Sequence, residues 1–397
     1  MQKSMKINKA DLFFYIAFIV FLSMSMILDT AWFGIISFRP FELICFFISA
    51  AALMLDNLFN KRFDNLPLYL GIFVVFLIAA FRAENIRYIV LMMLFIISAR
   101  NMDLDKILKV SCYVIMFFMV ITILFFYLGL FDGIEHSFYR HGTNIYRSSL
   151  GFSYTAYASH YHLTLFMIYV YITRNKKKVL LQYCLFILIG IWLYIETNTR
   201  TAFYVMILLG ILALINRIIT IDITKYKIIR FLLKSTFVIC AALTFAVVLS
   251  YPKNIGWVND LNRLLNYRIA YAYDGIVRYG VLLFGNSVEF ILSGNQYFYI
   301  DSSYVQLLLR YGPILFMIII SLYTLLMCRN VDEHNTFGII VVGAIAIRGI
   351  TDPQMISLAY SPFILSLGSS LAFYARKRKI NNMNETKNKI NCLGVIK

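Results

Sequence analysis

Long apolar segments constrain this chain more than any other feature of its sequence. Each carries few charges and has roughly the 15 to 25 residues that a helix needs to cross a hydrocarbon core about 30 Å thick. Twelve segments are predicted to span a membrane: 12–28, 36–55, 66–81, 86–99, 107–129, 152–173, 179–195, 201–215, 235–251, 303–327, 336–349 and 357–374. Since 61% of the 397 residues are hydrophobic and only 14% are charged, one globular core could not bury so much apolar surface. A soluble enzyme is excluded.

The sequence therefore predicts an all-α, polytopic integral membrane protein of about twelve transmembrane helices. A single transmembrane domain, 12–374, lies between an N-terminal segment, 1–11, and a tail, 375–397. With the N-terminus in the cytoplasm, 25 of the 37 lysines and arginines fall in cytoplasmic segments, as the positive-inside rule requires. Both termini are then cytoplasmic, and two long connections, 130–151 and 252–302, face outward.

The longer of these two connections, 252–302, mixes apolar and charged residues. Its apolar positions recur every three or four residues, a spacing typical of amphipathic helices. We expect short helices there, lying on the bilayer surface. Connections of this length in compact proteins are usually functional.

Arginine and lysine differ in where they occur. Of the 18 lysines only Lys253 is external, whereas 11 of the 19 arginines are external or near the outer ends of spans. The positive-inside rule alone would not favour arginine over lysine on the outer side. The planar guanidinium group of arginine binds phosphate and carboxylate groups through pairs of hydrogen bonds. The outer face is thus predicted to bind a phosphate or an acidic sugar. Interfacial snorkelling and pairing with glutamates is the alternative.

The net charge is +17, but basic residues in a membrane protein first reflect its orientation in the bilayer. The expected partners are therefore membrane lipids and not nucleic acid. The sequence contains no HExxH, GxSxG or Walker A pattern, and its six cysteines have no CxxC spacing. His160 and His162 point in different directions on a predicted helix and are expected to pack or to form hydrogen bonds. No metal and no cofactor is predicted.

Three stretches carry a resemblance to a known family. Residues 197–202 (TNTRTA) resemble the SRTA turn of O-antigen and capsule polymerases and ligases. Residues 264–268 (LLNYR), followed by Tyr279-Gly280 and 283–285 (LFG), resemble their large external loop. Residues 301–312 (DSSYVQLLLRYG) resemble the stretch after that loop. Order and spacing are similar across roughly residues 100 to 330, so the chain resembles the Wzy-type polysaccharide repeat-unit polymerases of the O-antigen polymerase/ligase superfamily.

The resemblance implies a GT-C-like fold and a metal-independent membrane glycosyltransferase. Such enzymes join oligosaccharide repeat units carried on undecaprenyl pyrophosphate, on the outer face of the bacterial cytoplasmic (inner) membrane, into capsule, O-antigen or exopolysaccharide. Flippase and chain-length regulator proteins are the partners that it suggests. Preorganised arginines would stabilise the departing pyrophosphate.

The residues that match the family motifs give the candidate site. Arg200 and Arg268 are predicted to bind the pyrophosphate, and Asp301 to accept the proton, or a hydrogen bond, from the acceptor hydroxyl. Asp301 could instead only cap the following helix. Further substrate contacts are suggested for Arg140, Arg147, Arg278, Tyr304 and Arg310. The chain departs from the family at Arg310, where related sequences often have a small or acidic residue, and in the spacing of Arg268 and Gly280.

Two other functions stay open. An O-antigen ligase performs the same chemistry on a different acceptor, and Asp rather than His at position 301 favours the polymerase. A twelve-span transporter, such as a polysaccharide or lipid flippase, has a similar length. Transporters usually show two similar halves, whereas the halves of this chain differ and its largest loop is external.

Overall fold

The computed structural model is largely helical and describes most of the chain. The described residues are 11–34, 38–59, 66–84, 86–140, 143–176, 178–219, 223–289, 291–292 and 296–377. Nearly all of the predicted N-terminal segment, and the tail beyond residue 377, lie outside them. The fold is therefore that of the predicted transmembrane domain.

Except at 128–156 and 280–302, the helices follow one another with short connections. In chain order they are α1 (Leu12–Leu28), α2 (Phe38–Phe59), α3 (Leu66–Arg82), α4 (Ile86–Ser98), α5 (Leu104–Tyr127), α6 (Tyr157–Ile172), α7 (Leu180–Thr197), α8 (Arg200–Ile218), α9 (Lys227–Lys234), α10 (Thr236–Ser250), α11 (Gly256–Leu264), α12 (Arg268–Tyr279), α13 (Ser303–Asp332) and α14 (Thr336–Thr351). After α14 come two 3₁₀ turns, Pro353–Ile356 and Pro362–Leu365, and the chain is helical again over 366–377.

Within the described residues, six helices are long and apolar enough to cross a membrane. They are Pro40–Phe59, Leu104–Tyr127, Leu180–Thr197, Arg200–Ile218, Thr236–Lys253 and Ser303–Asp332. Shorter apolar helices occur at Leu12–Leu28, Tyr69–Arg82 and Thr336–Thr351. The prediction of a helical membrane protein is thus confirmed in its general form, and the number of twelve crossings stays a prediction.

The two long connections are structured. In 130–151 an antiparallel hairpin forms from β1 (Glu135–Arg140) and β2 (Thr143–Ser148), which the all-α prediction did not include. The connection 252–302 contains α11, α12 and a small hairpin of β3 (Ile291–Leu292) and β4 (Gln296–Tyr297). The helices expected from its apolar spacing are therefore present, and they bury Val258, Ile269 and Ala272.

Helix α13 is broken at Gly312, inside a segment predicted as one continuous span. Gly312 has φ 81° and ψ 165°, and Pro313 follows it. A positive φ is readily available only to glycine, and a Cβ on Gly312 would lie 2.3 Å from the carbonyl oxygen of Leu283. Asn286 donates its backbone N–H to the carbonyl oxygens of Leu309 (3.0 Å) and Arg310 (3.2 Å). The connection before α13 thus packs into the break and binds carbonyl groups beside it.

Helix α6 lies at the centre of the bundle. It packs against α5, α7, α8 and α14, and most of its side chains are buried. Its first turn therefore brings His160 to the place where the start of α8 and the end of α14 meet. That junction holds the largest group of predicted site residues.

Candidate active site

A cavity of about 610 Å³, here called the main cavity, lies where the three family-like stretches converge. Its walls come from the α7–α8 turn, the α11–α12 turn, Asp301, and the chain leaving α14. Four of the predicted site residues line it: Arg147, Arg200, Arg268 and Asp301. The structure thus brings together residues from four separate segments of the sequence.

The α7–α8 turn places Arg200 in the main cavity. Asn198 adopts a left-handed conformation with φ 48°, which asparagine tolerates better than most residues, so α8 can begin two residues later at Arg200. The Nε of Arg200 is buried and has no hydrogen-bond partner among the described residues. Because an unpaired buried donor costs about 1 to 3 kcal/mol, this N–H is suited to an anionic ligand.

Arg147, on β2, holds the same turn from the side of the hairpin. Its Nε donates to the carbonyl oxygen of Thr197 (2.6 Å), and its Nη2 lies 3.4 Å from the hydroxyl of Thr199. Arg147 therefore adds positive charge to the cavity and fixes the turn that presents Arg200.

The α11–α12 turn places Arg268 opposite. Asn266 and Tyr267 both have positive φ, 56° and 63°, a conformation that persists for a bulky residue only where the surrounding structure enforces it. Arg268 then begins α12. Its Nη1 donates to the hydroxyl of Thr201 (3.2 Å) and to the carbonyl oxygen of Thr351. One guanidinium thereby joins the start of α8 to the end of α14.

Asp301 faces Arg268 and does not cap α13. The N-cap position is that of Ser302, and the Asp301 Oδ2 lies 3.1 Å from the Nε of Arg268 with 16% of the side chain exposed. Burial raises the pKa of Asp301 to about 6, although the Arg268 charge opposes this rise. At neutral pH the carboxylate is therefore mostly ionised and is still a far better proton acceptor than an ordinary aspartate.

A second, deeper group of charges supports this wall of the cavity. Arg348, 3% exposed, lies near the end of α14, and its Nε is 3.3 Å from Asp352 Oδ2. The same carboxylate oxygen lies 3.0 Å from the Nδ1 of His160. Burial alone would raise the pKa of Asp352, but the charge of Arg348 and the hydrogen bond with His160 outweigh it and lower the pKa. Asp352 therefore stays ionised and fixes His160 at the cavity wall.

His160 can donate to or accept from its neighbours, depending on its protonation. Its Nδ1 also lies 3.0 Å from the Nη2 of Arg348. A proton on Nδ1 points to Asp352, whereas a bare Nδ1 accepts from Arg348. The expectation of ordinary hydrogen bonding for His160 is met, but the residue also lines the main cavity. His162 bonds elsewhere, to the carbonyl oxygen of Phe186 (2.8 Å).

The main cavity is not lined by Tyr304, Arg278 or Arg310. Tyr304 is fully buried, and its hydroxyl donates to the carbonyl oxygen of Ala346 (2.9 Å), so it joins α13 to α14 and is not placed to touch a substrate. Arg278 lies over the ring of Phe298, 5.4 Å from its centroid. The backbone of Arg140 is in β1, and its side chain is outside the described part.

Arg310 lines an adjoining cavity of about 390 Å³. The adjoining cavity also contains Asp29, whose pKa burial raises to about 6. Four residues line both cavities: Tyr157, Tyr299, Pro353 and Gln354. The two spaces therefore share one wall.

Sequence reasoning missed Asp352 and Gln354 and undervalued His160. Asp352 follows Arg348 by four positions, the spacing at which side chains on one helix face meet. An arginine and an aspartate at that spacing, at the outer end of a predicted span, are a signal that could have found the buried pair.

Comparisons of the chain with protein-family models, with curated proteins and with solved structures give no match. Among the described residues, no group of three or more His, Cys, Asp or Glu side chains is arranged to hold a metal ion. Function is therefore inferred from the main cavity and from the resemblance of the sequence stretches that form it.

Proposed function

We propose that this protein is a membrane glycosyltransferase that polymerises oligosaccharide repeat units linked to undecaprenyl pyrophosphate. The observation that carries the proposal is the convergence of Arg147, Arg200 and Arg268 with Asp301 in the main cavity. Each of the three family-like stretches contributes one of these residues, and β2 adds Arg147. The wider claims, that the fold is GT-C-like and that the cavity faces outward from a bacterial cytoplasmic membrane, belong to the same proposal.

The arginines suit the donor side of this reaction. Glycosyl transfer from a lipid pyrophosphate breaks the bond between the anomeric carbon and a phosphate oxygen, so negative charge grows on the leaving group. Guanidinium groups that are already held in place before the reaction stabilise that charge without having to reorganise. The unpartnered Nε of Arg200 is such a donor, and Arg268 is held by its own contacts.

Asp301 suits the acceptor side. A sugar hydroxyl of the second lipid-linked unit forms the new bond to the anomeric carbon and transfers its proton to the Asp301 carboxylate. Undecaprenyl pyrophosphate leaves with the electron pair of the broken bond. Arg268 keeps the carboxylate charged until the proton arrives.

The reaction requires space for two lipid-linked glycans. The main cavity and the adjoining cavity share a wall, so a donor in the first and an acceptor extending from the second would meet near Asp301. We assign Arg310 to the acceptor in this arrangement.

Deletion and complementation test the proposal. In the source bacterium, a deletion strain of a polymerase should lose the long surface polysaccharide and accumulate single repeat units on a gel, and a plasmid copy should restore the polymer. Polymer that forms but is not attached to its final acceptor would indicate a ligase. Loss of single units from the outer face, with retention inside, would indicate a transporter.

A further inference from the structure

The largest of the cavities described lies at the other end of the bundle and plays no part in the proposed transfer. This distal cavity has a volume of about 1000 Å³ and is lined by residues from the starts of α5 and α14, the ends of α6 and α13, and 366–377. His160 of the main cavity and Arg174 of the distal cavity lie fourteen residues apart along and just beyond α6, a separation of roughly 20 Å at 1.5 Å per residue.

Arg100 is the most unusual side chain in the distal cavity. Its side chain is deeply buried, with 5% of the residue exposed, and its guanidinium carbon lies 4.9 Å from the centre of the Tyr69 ring. Nη2 is buried and has no hydrogen-bond partner among the described residues. A buried guanidinium donor without a partner costs free energy, and an acceptor bound in the cavity would remove that cost.

The charges that line the distal cavity are only partly balanced. Arg174 binds both oxygens of Asp105, at 2.8 and 2.9 Å, and Arg329 binds Glu333 at 3.0 Å. These two pairs are neutral as units.

The remaining charges are Arg100, Arg376 and Lys377 against Asp103. Arg376 donates to the side-chain oxygen of Asn101 at 2.9 Å, which holds its guanidinium near the cavity. These remaining residues therefore give the lining of the distal cavity an excess of positive charge.

We infer that the distal cavity binds a ligand that carries a phosphate group, through Arg100 and Arg376. Phosphate oxygens accept several charge-assisted hydrogen bonds at once, and the guanidinium fork matches their geometry. The lining also includes the apolar residues Leu326, Val342 and Phe363, which suit a ligand with a hydrocarbon portion as well as a free ion. Both an anionic phospholipid headgroup and soluble phosphate have this chemistry. The inference does not depend on the proposed transferase activity.

Binding to the purified full-length protein in a neutral detergent tests the inference. One arm titrates phosphatidylglycerol against phosphatidylcholine and counts bound lipids by native mass spectrometry. The other arm titrates inorganic phosphate against chloride at equal ionic strength and follows thermal unfolding. Arg100→Gln and Arg376→Gln remove the two donors. Arg230→Gln is the matched control, because Arg230 pairs with Asp332 at 2.8 Å and does not line the distal cavity.

The inference predicts preferential binding of phosphatidylglycerol or of inorganic phosphate. Since a hydrogen bond to a charged group is worth about 1.5 to 3 kcal/mol, each of the two variants should weaken binding about tenfold or more, and the control should not. Loss in the lipid arm alone identifies a headgroup, and loss in the phosphate arm alone identifies a soluble ligand. If Arg100→Gln does not fold, ligand binding by Arg376→Gln decides the result, because Arg376 is exposed and its replacement should not disturb folding. Binding no tighter than that of phosphatidylcholine and chloride, or equal binding by all variants, would overturn the inference.

Discussion

Arg268 and Asp301 form an ion pair in which Nε and Oδ2 lie 3.1 Å apart. The pair joins the first residue of α12 to the segment that enters α13, and so it closes the long connection between them. In the proposed reaction it also links the group that binds the leaving pyrophosphate to the group that accepts the proton. The charge of Arg268 favours the ionised form of Asp301, against the effect of burial on the pKa of that carboxyl.

Arg200→Lys should abolish most polymerisation while the protein still folds. Lysine keeps the positive charge but lacks the paired hydrogen-bond donors of the guanidinium group. The loss of one donor to a transition state typically reduces the rate on the order of 10² to 10³-fold. The Nε of Arg200 has no hydrogen-bond partner among the described residues, so its replacement should leave thermal stability almost unchanged. The measurement is polymer yield together with the unfolding temperature in detergent.

Arg268→Lys should reduce the rate similarly but should also lower stability, because Arg268 joins Thr201, Thr351 and Asp301. Arg263→Lys is the control, since that side chain is 71% exposed and pairs only weakly with Asp260 at 3.9 Å. Normal polymer from both the Arg200 and the Arg268 variants would contradict the pyrophosphate assignment.

The rate of transfer should depend on pH through Asp301. Because burial raises the pKa of Asp301 to about 6, the reactive carboxylate form is mostly present at pH 7 and is lost as the pH falls through about 6. We expect kcat/KM to fall about tenfold between pH 7 and pH 5. Asp301→Asn should abolish transfer at every pH. A profile that is flat over this range would show that Asp301 is not the base.

The contact between residues 283–286 and the break in α13 should be essential for stability. A Cβ on Gly285 would lie 2.1 Å from the carbonyl oxygen of Arg310, and Gly285 has φ 82°. Gly285→Ala therefore requires both a shift of backbone and a strained conformation, which should cost well over about 1 kcal/mol. Gly71→Ala, in α3, is the control, since no atom lies within 4 Å of its added Cβ. Equal unfolding temperatures for the two variants would contradict the close packing of loop and helix.

The proposed orientation can be tested in intact cells. Cysteines introduced at Ser137 and Ser293, in the two connections predicted to be external, should react with a membrane-impermeant thiol reagent, because 25 of the 37 basic residues then lie inside. A cysteine at Asn175, predicted to be cytoplasmic, should react only after lysis. The reverse pattern would place the main cavity on the cytoplasmic side.

Much of the fold follows from local sequence. The apolar segments predict where helices occur, and the three- and four-residue spacing of apolar positions such as Leu261 and Ile269 predicts α11 and α12, because helix formation depends on neighbouring residues. The break in α13 was not predicted. Gly312-Pro313 is a local helix-breaking pattern, but the contact of Gly312 with the distant residues 283–285 has no local signal in the sequence.

The candidate site was predictable to a similar extent. Arg200, Arg268 and Asp301 were selected from the motifs, and the structure places all three in one cavity. Tyr304 was selected from the same motif but packs into the core, since a tyrosine beside a motif can serve the fold as well as the site. The cluster of His160, Arg348 and Asp352 joins α6 to the end of α14 and is visible only once the chain is folded.

Glycosyl transfer by the purified protein is the decisive test of the proposed activity. The protein would be placed in nanodiscs with a synthetic oligosaccharide on undecaprenyl pyrophosphate, and released undecaprenyl pyrophosphate and longer lipid-linked glycans would be measured by mass spectrometry. We expect the wild type to release one undecaprenyl pyrophosphate for each glycosidic bond that it forms. Correctly folded Asp301→Asn should give neither undecaprenyl pyrophosphate nor longer lipid-linked glycans. Polymer made by that variant at the wild-type rate, or release of the carrier without any new glycosidic bond, would contradict the proposed activity.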